Sequence, residues 1–71
     1  MEEKLKAIFI KVLGDYDLKK KQGEYEKWDS FSHMDLVSEI ESQFNIVLNS
    51  DDVISIESAE QALRIIKAKN E

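Results

Sequence analysis

Apolar residues at Leu5, Ile8, Phe9, Val12 and Leu13 follow the i, i+3, i+4, i+7 spacing of a helix with one buried face, which predicts a first helix over 2–13. Glu2 and Glu3 suit its positive dipole end, and Gly14 is a natural stop because glycine readily takes the left-handed conformation that closes helices. From Asp15 to Trp28 the periodicity lapses, the residues are mostly polar, and Gly23 interrupts any continuation. This stretch is expected to be a long loop rather than a strand or helix, pinned to the core by Tyr16, Leu18, Tyr25 and Trp28. Loops of this length in a compact domain are tied down by apolar contacts or carry function.

The periodicity returns at Asp29 or Ser30, both good capping residues, and a second helix is expected to run to about Phe44. Phe31, Met34, Val37, Ile40 and Phe44 read as its apolar stripe, widened by Leu36. Ile46-Val47-Leu48 is too short for a helix and has no strand to pair with, so it reads as a buried apolar crossing. Asn49 and Ser50 then offer caps for a short helical turn through Asp51 to Ile54. Ser58-Ala59-Glu60-Gln61 is a capping-box pattern that announces a last helix with Ala59, Ala62, Leu63 and Ile66 on its buried face. Three longer helices and one short one predict an all-α, small four-helix up-and-down bundle, with residues 1–71 forming a single domain and a long loop between helices one and two.

A chain of 71 residues buries only about 60% of its unfolded surface, which leaves little room for a deep enclosed active site. The absence of cysteine rules out disulfides and thiolate metal sites, so any thiol chemistry must come from a cofactor. No run is apolar and long enough to span a membrane, and the first residues lack the basic start and apolar stretch of a signal peptide. The expectation is a cytoplasmic monomer without membrane insertion. The net charge of −5 argues against nucleic acid and favours basic protein partners. Between Trp28 and Leu63 there is no Lys or Arg, while Asp29, Asp35, Glu39, Glu41, Asp51, Asp52, Glu57 and Glu60 all fall there. Lys19-Lys20-Lys21, the one basic cluster, reads as a solvated loop.

The chemistry-bearing residue is Ser30, a hydroxyl at the head of this acidic, amphipathic helix. A serine there is most often a cap. The wider order of Asp29-Ser30-Phe31, an acidic helix, a short apolar crossing, a short acidic helix and a capped final helix resembles the acyl carrier protein family. The resemblance runs from Trp28 to about Ile66, and helix one with its loop agrees in layout. It implies that Ser30 is the residue to which a phosphopantetheinyl transferase attaches the 4′-phosphopantetheine arm of coenzyme A. A phosphodiester there would lie against free backbone N–H groups and the positive end of the helix dipole. The implied function is that of a non-enzymatic carrier, holding acyl groups as thioesters for fatty-acid, polyketide-like or specialised biosynthesis.

By the same resemblance Asp29 is the aspartate before the serine, which helps a basic transferase or its metal recognise the site. Phe31 stands where the family usually has Leu, and Phe31 and Met34 read equally as docking contacts or as core. Asp35, Glu39, Glu41, Asp51 and Asp52 read as a partner-binding acidic face. Asp35 and Glu39 are four apart with no Lys or Arg between them, a spacing that costs helix stability and suits basic docking surfaces on loading and transferring enzymes. Mutual repulsion of these acids predicts that salt or divalent cations raise the melting temperature. His33 invites comparison with a serine-histidine nucleophile pair, but a triad also needs an orienting acid, an oxyanion hole and a pocket, so no catalytic residue is assigned. Asp51-Asp52 lacks the alternating ligands, Gly and closing Glu of a calcium loop, so no metal site is assigned.

Three departures stand out. Lys27-Trp28 replaces a Leu-Gly pair common before the Asp-Ser, Glu41-Ser42-Gln43 shortens the usual glutamate run, and Asn49 takes the place of a proline. They look more like a dedicated carrier of one biosynthetic cluster than a housekeeping protein. Asp29-Ser30-Phe31 is also similar to the triplet of D-alanyl carrier proteins, which load an amino acid. Ala7, Ala59 and Ala62 leave space for an acyl chain or simply permit close packing. A reading of another class is an unmodified helical interaction module whose acidic face binds a basic partner.

Overall fold

The computed structural model describes residues 2–70 and contains four helices: α1 (Glu2–Leu13), α2 (Ser30–Phe44), α3 (Ser50–Ser55) and α4 (Ala59–Asn70). They form a small all-α bundle in which α1 packs against α2 and α4, and α3 against α4. Leu5, Ile8, Phe9 and Leu13 of α1 are buried as their spacing requires, and Gly14 ends the helix at φ +76° with its amide donating to Ile10 O at 2.9 Å. No helix among the described residues is long and apolar enough to cross a membrane.

The connection from Asp15 to Asp29 is pinned by aromatic rings. Phe9 meets Tyr16 and Trp28 edge-on at centroid distances of 5.7 and 5.5 Å, and Tyr25 meets Trp28 at 5.1 Å. The Tyr25 hydroxyl clamps the loop by accepting from Asp17 N and donating to Asp17 O. One 3₁₀ turn, Gln22–Glu24, interrupts the expected irregular loop. It is fastened to the entrance of α4 by a bridge between Lys21 and Ser58 and by Gln22 N donating to Glu57 O at 2.7 Å.

The apolar stripe of α2 differs from the expected one. Leu36, Val37 and Ile40 are buried and Phe44 packs partly against the core, but Phe31 is 84% and Met34 53% exposed. The reason is geometric: at 3.6 residues per turn, successive three-residue steps from 31 to 40 walk halfway around the helix. Phe31 therefore faces away from Ile40. The centre of the buried arc runs through positions 33, 36, 37, 40 and 44 instead. The expected buried crossing is also only partly buried, with Leu48 at 8% exposure but Val47 at 78%.

Helix ends follow the capping chemistry. Asn45 closes α2 in the left-handed conformation at φ 54°. Asn49 and Asp52 form a reciprocal capping box at the start of α3, each side chain accepting from the other's amide. At α4, Ser58 Oγ accepts from Gln61 N as expected, but Gln61 Oε1 reaches one residue further back, to the amide of Glu57. Ala59 and Ala62 are fully buried, so their small size serves close helix packing, whereas Ala7 is exposed and leaves no space inside the bundle.

Candidate functional site

Asp29, not Ser30, caps α2. Its backbone is extended and its Oδ1 accepts from Ser32 N at 2.9 Å; that bond holds the Asp29 carboxyl below the usual aspartate range. Ser30 is the first residue of the helix, exposed, and its hydroxyl makes no hydrogen bond among the described residues. The Ser30 hydroxyl is therefore not spent on capping the helix.

Ser30 lines an open groove of about 340 Å³ together with Gln22, His33, Met34, Val53 and Ile54. The loop contributes Gln22, α2 contributes His33 and Met34, and α3 contributes Val53 and Ile54. Ile54 is 72% exposed, so Phe31, Met34 and Ile54 make an apolar surface beside the serine. Isolated exposed apolar residues are ordinary; here Phe31 and Met34 follow Ser30 on α2, and Met34 and Ile54 line its groove.

His33 is not a base for Ser30. Nδ1 of His33 accepts from the Trp28 indole N–H at 2.9 Å and Nε2 lies 2.8 Å from Val53 O. Indole nitrogen only donates and a carbonyl only accepts, so the ring is satisfied as the neutral tautomer protonated on Nε2. Val53 O belongs to the last turn of α3, where carbonyls lack intrahelical partners, and His33 supplies one.

The acidic residues divide by how they are engaged. Glu39 pairs with Lys11 of α1 at 2.9 Å, and this hydrogen-bonded contact lowers its pKa. Glu41 Oε2 accepts from Leu48 N at 2.9 Å and so fastens the crossing after α2. Asp52 serves the α3 cap and pairs with Lys69 of α4 at 2.8 Å, which holds its carboxyl below the usual range. The expectation of uncompensated charge thus fails for Glu39 and Asp52, because the cations arrive from other helices. Asp35 and Asp51 are exposed and make no hydrogen bond or ion pair among the described residues. They adjoin the apolar surface along the chain: Asp35 is four residues from Phe31 and Asp51 three from Ile54, both neighbour spacings on a helix.

Val53, Ile54, Gln22 and the two-sided role of His33 were not visible as site features in the sequence. The available signal was His33 on the buried arc of α2, where a polar ring needs partners. No group of three or more His, Asp or Glu side chains among the described residues is placed to hold a metal ion. No protein-family model matches the chain, and no curated protein matches it.

Proposed function

We propose that the chain is a carrier domain of the acyl-carrier type, modified with 4′-phosphopantetheine on Ser30. The observation that carries this reading is the free, exposed Ser30 hydroxyl at the first position of α2, capped by Asp29 and opening onto a groove between α2 and α3. In the modification Ser30 Oγ forms a bond to the phosphorus that carries the pantetheine of coenzyme A. The anhydride bond of that phosphorus breaks, the adenosine bisphosphate leaves with the electron pair, and the transferase takes the hydroxyl proton. The residues present fit the group: the start of α2 tolerates a phosphodiester, and the Met34, Val53 and Ile54 side chains offer apolar walls along the groove. The bound arm supplies a terminal thiol that carries an acyl group as a thioester.

This chain's own residues position and present. Asp29 fixes the start of the helix, and Phe31, Met34 and Ile54 give partner enzymes an apolar footprint, with Asp35 and Asp51 at its margin for cationic side chains. Partners are then the transferase and enzymes that load and unload the thiol in lipid or specialised biosynthesis. An aminoacyl cargo uses the same serine and groove. The engagement of Glu39, Glu41 and Asp52 within the bundle narrows the acidic face open to a carrier and to an unmodified interaction module alike.

The test is labelling with a fluorescent pantetheine analogue of coenzyme A and a broad-specificity transferase, followed by proteolysis. Label confined to the peptide containing Ser30 supports the proposal; an unlabelled, folded chain contradicts it.

A further inference from the structure

Behind Ser30 the seam between α2 and α3 is bolted by one ring. His33, on α2, takes the Trp28 indole proton on Nδ1 and faces Val53 O of α3 with Nε2, so the loop, α2 and α3 meet at a single imidazole. Trp28 is itself 6% exposed, its ring centroid 5.9 Å from that of His33. In the core, Leu36, Ile40, Ile56, Ala59 and Ala62 are at most 1% exposed. An alkyl chain passing between α2 and α3 has to displace the imidazole, strand a buried indole donor and uncap the end of α3. With the imidazole in place, the close-packed seam behind it leaves no slack for added methylenes.

The space that does adjoin Ser30 lies on the outside, in the groove of about 340 Å³. Its walls combine the apolar Met34, Val53 and Ile54 with the amide of Gln22, which both donates and accepts. We propose that this carrier keeps its acyl or aminoacyl cargo outside the bundle, along the external groove, and that the Trp28–His33–Val53 bridge bars long acyl chains from the interior. This rests on attachment of the arm at Ser30.

The experiment loads the full chain from a series of acyl coenzyme A thioesters, acetyl to dodecanoyl, using a broad-specificity transferase. Mass confirms each product, and the melting temperature and the rate of thioester cleavage by hydroxylamine are then measured. The expected result is no shift in melting temperature and no change in cleavage rate along the series. Melting temperatures that climb with chain length, together with progressively slower cleavage, would mean that chains enter the core and would overturn the inference while leaving Ser30 as the attachment site. Absence of any mass gain would overturn both. His33→Ala is expected to acquire the length dependence that the native chain lacks; a folded His33→Ala protein still indifferent to chain length would contradict the role given to His33. The native series decides by itself where that variant does not fold.

Discussion

The indole of Trp28 and the imidazole of His33 lie edge to edge with 22° between their planes, joined by a 2.9 Å hydrogen bond into Nδ1. The pair links the end of the long loop to α2, and through Nε2 to α3. Replacing His33 by Ala leaves a buried donor and a helix-end carbonyl unpaired, and unsatisfied buried groups cost about 1–3 kcal/mol. Urea unfolding of His33→Ala should show a loss of at least that size, with the indole fluorescence of the single tryptophan altered in the folded state.

Phe31 presents the opposite case. At 84% exposure it contributes almost nothing to the core, so Phe31→Ala should leave stability within about 0.5 kcal/mol of the native chain. Its effect should fall on modification instead, as a lower rate of pantetheine transfer at limiting transferase. Equal transfer rates for the two proteins would remove Phe31 from the docking surface.

The misplacement of Phe31 also shows how far the pattern of residues reaches. The helix spans were legible because they rest on local signals: Glu2–Leu13 and its closing Gly14, Asp29 before α2, Asn49 before α3, and Ser58 with Gln61 before α4. The face of α2 was not, because residues three apart look like one stripe over short distances while the helix turns beneath them. The partners of the acids were equally hidden. Lys11 lies 28 residues from Glu39 and Lys69 lies 17 from Asp52 in the chain, and only the packing of α1 on α2 and of α4 on α3 brings them into contact. Ser30 is exposed at the start of α2, as read from the sequence, and of the two capping candidates Asp29 does the capping.

Those ion pairs change the expected response to salt. Glu39 is taken up by Lys11 and Asp52 by Lys69, and the described residues hold no cluster of three or more metal-ligating side chains, so the expectation is that magnesium acts without a dedicated site. Stabilisation by magnesium should therefore match that by sodium chloride at equal ionic strength, since both then act by screening the net charge of −5. A larger melting-temperature rise in magnesium would reveal a specific site.

Acid should weaken the fold through the same groups. Asp29, held by the Ser32 amide, Glu39, held by Lys11, and Asp52, held by Lys69, all lie below their ordinary values of 3.8 for aspartate and 4.5 for glutamate. A depressed carboxylate stabilises the fold above its unfolded value, and that contribution is lost as pH falls through the lower folded value. Melting curves should thus drop steeply below those ordinary values, and Asp52→Asn should flatten the drop. An unaltered acid profile in Asp52→Asn would deny the Lys69 pair any part in it.

At the alkaline end Tyr16 takes over. Burial, with its hydroxyl donating to Glu2, pushes its pKa from 10.0 up to about 12, and burial raises Tyr25 as well. Between those values the unfolded chain gives up a proton that the folded one keeps, so stability falls as pH rises from 10.0 toward about 12. Tyr16→Phe should melt with a shallower alkaline slope than the native chain.

The central claim is that Ser30 is a modification site whose hydroxyl is not spent on the fold. Intact mass after incubation with coenzyme A and a broad-specificity transferase, run on the native chain and on Ser30→Ala, tests it most directly. Because Asp29 carries the cap, Ser30→Ala should fold with stability within about 0.5 kcal/mol of native. The native chain should gain one phosphopantetheine and the variant none. A native chain that stays at its original mass, or a Ser30→Ala variant that gains the same adduct, would contradict the account.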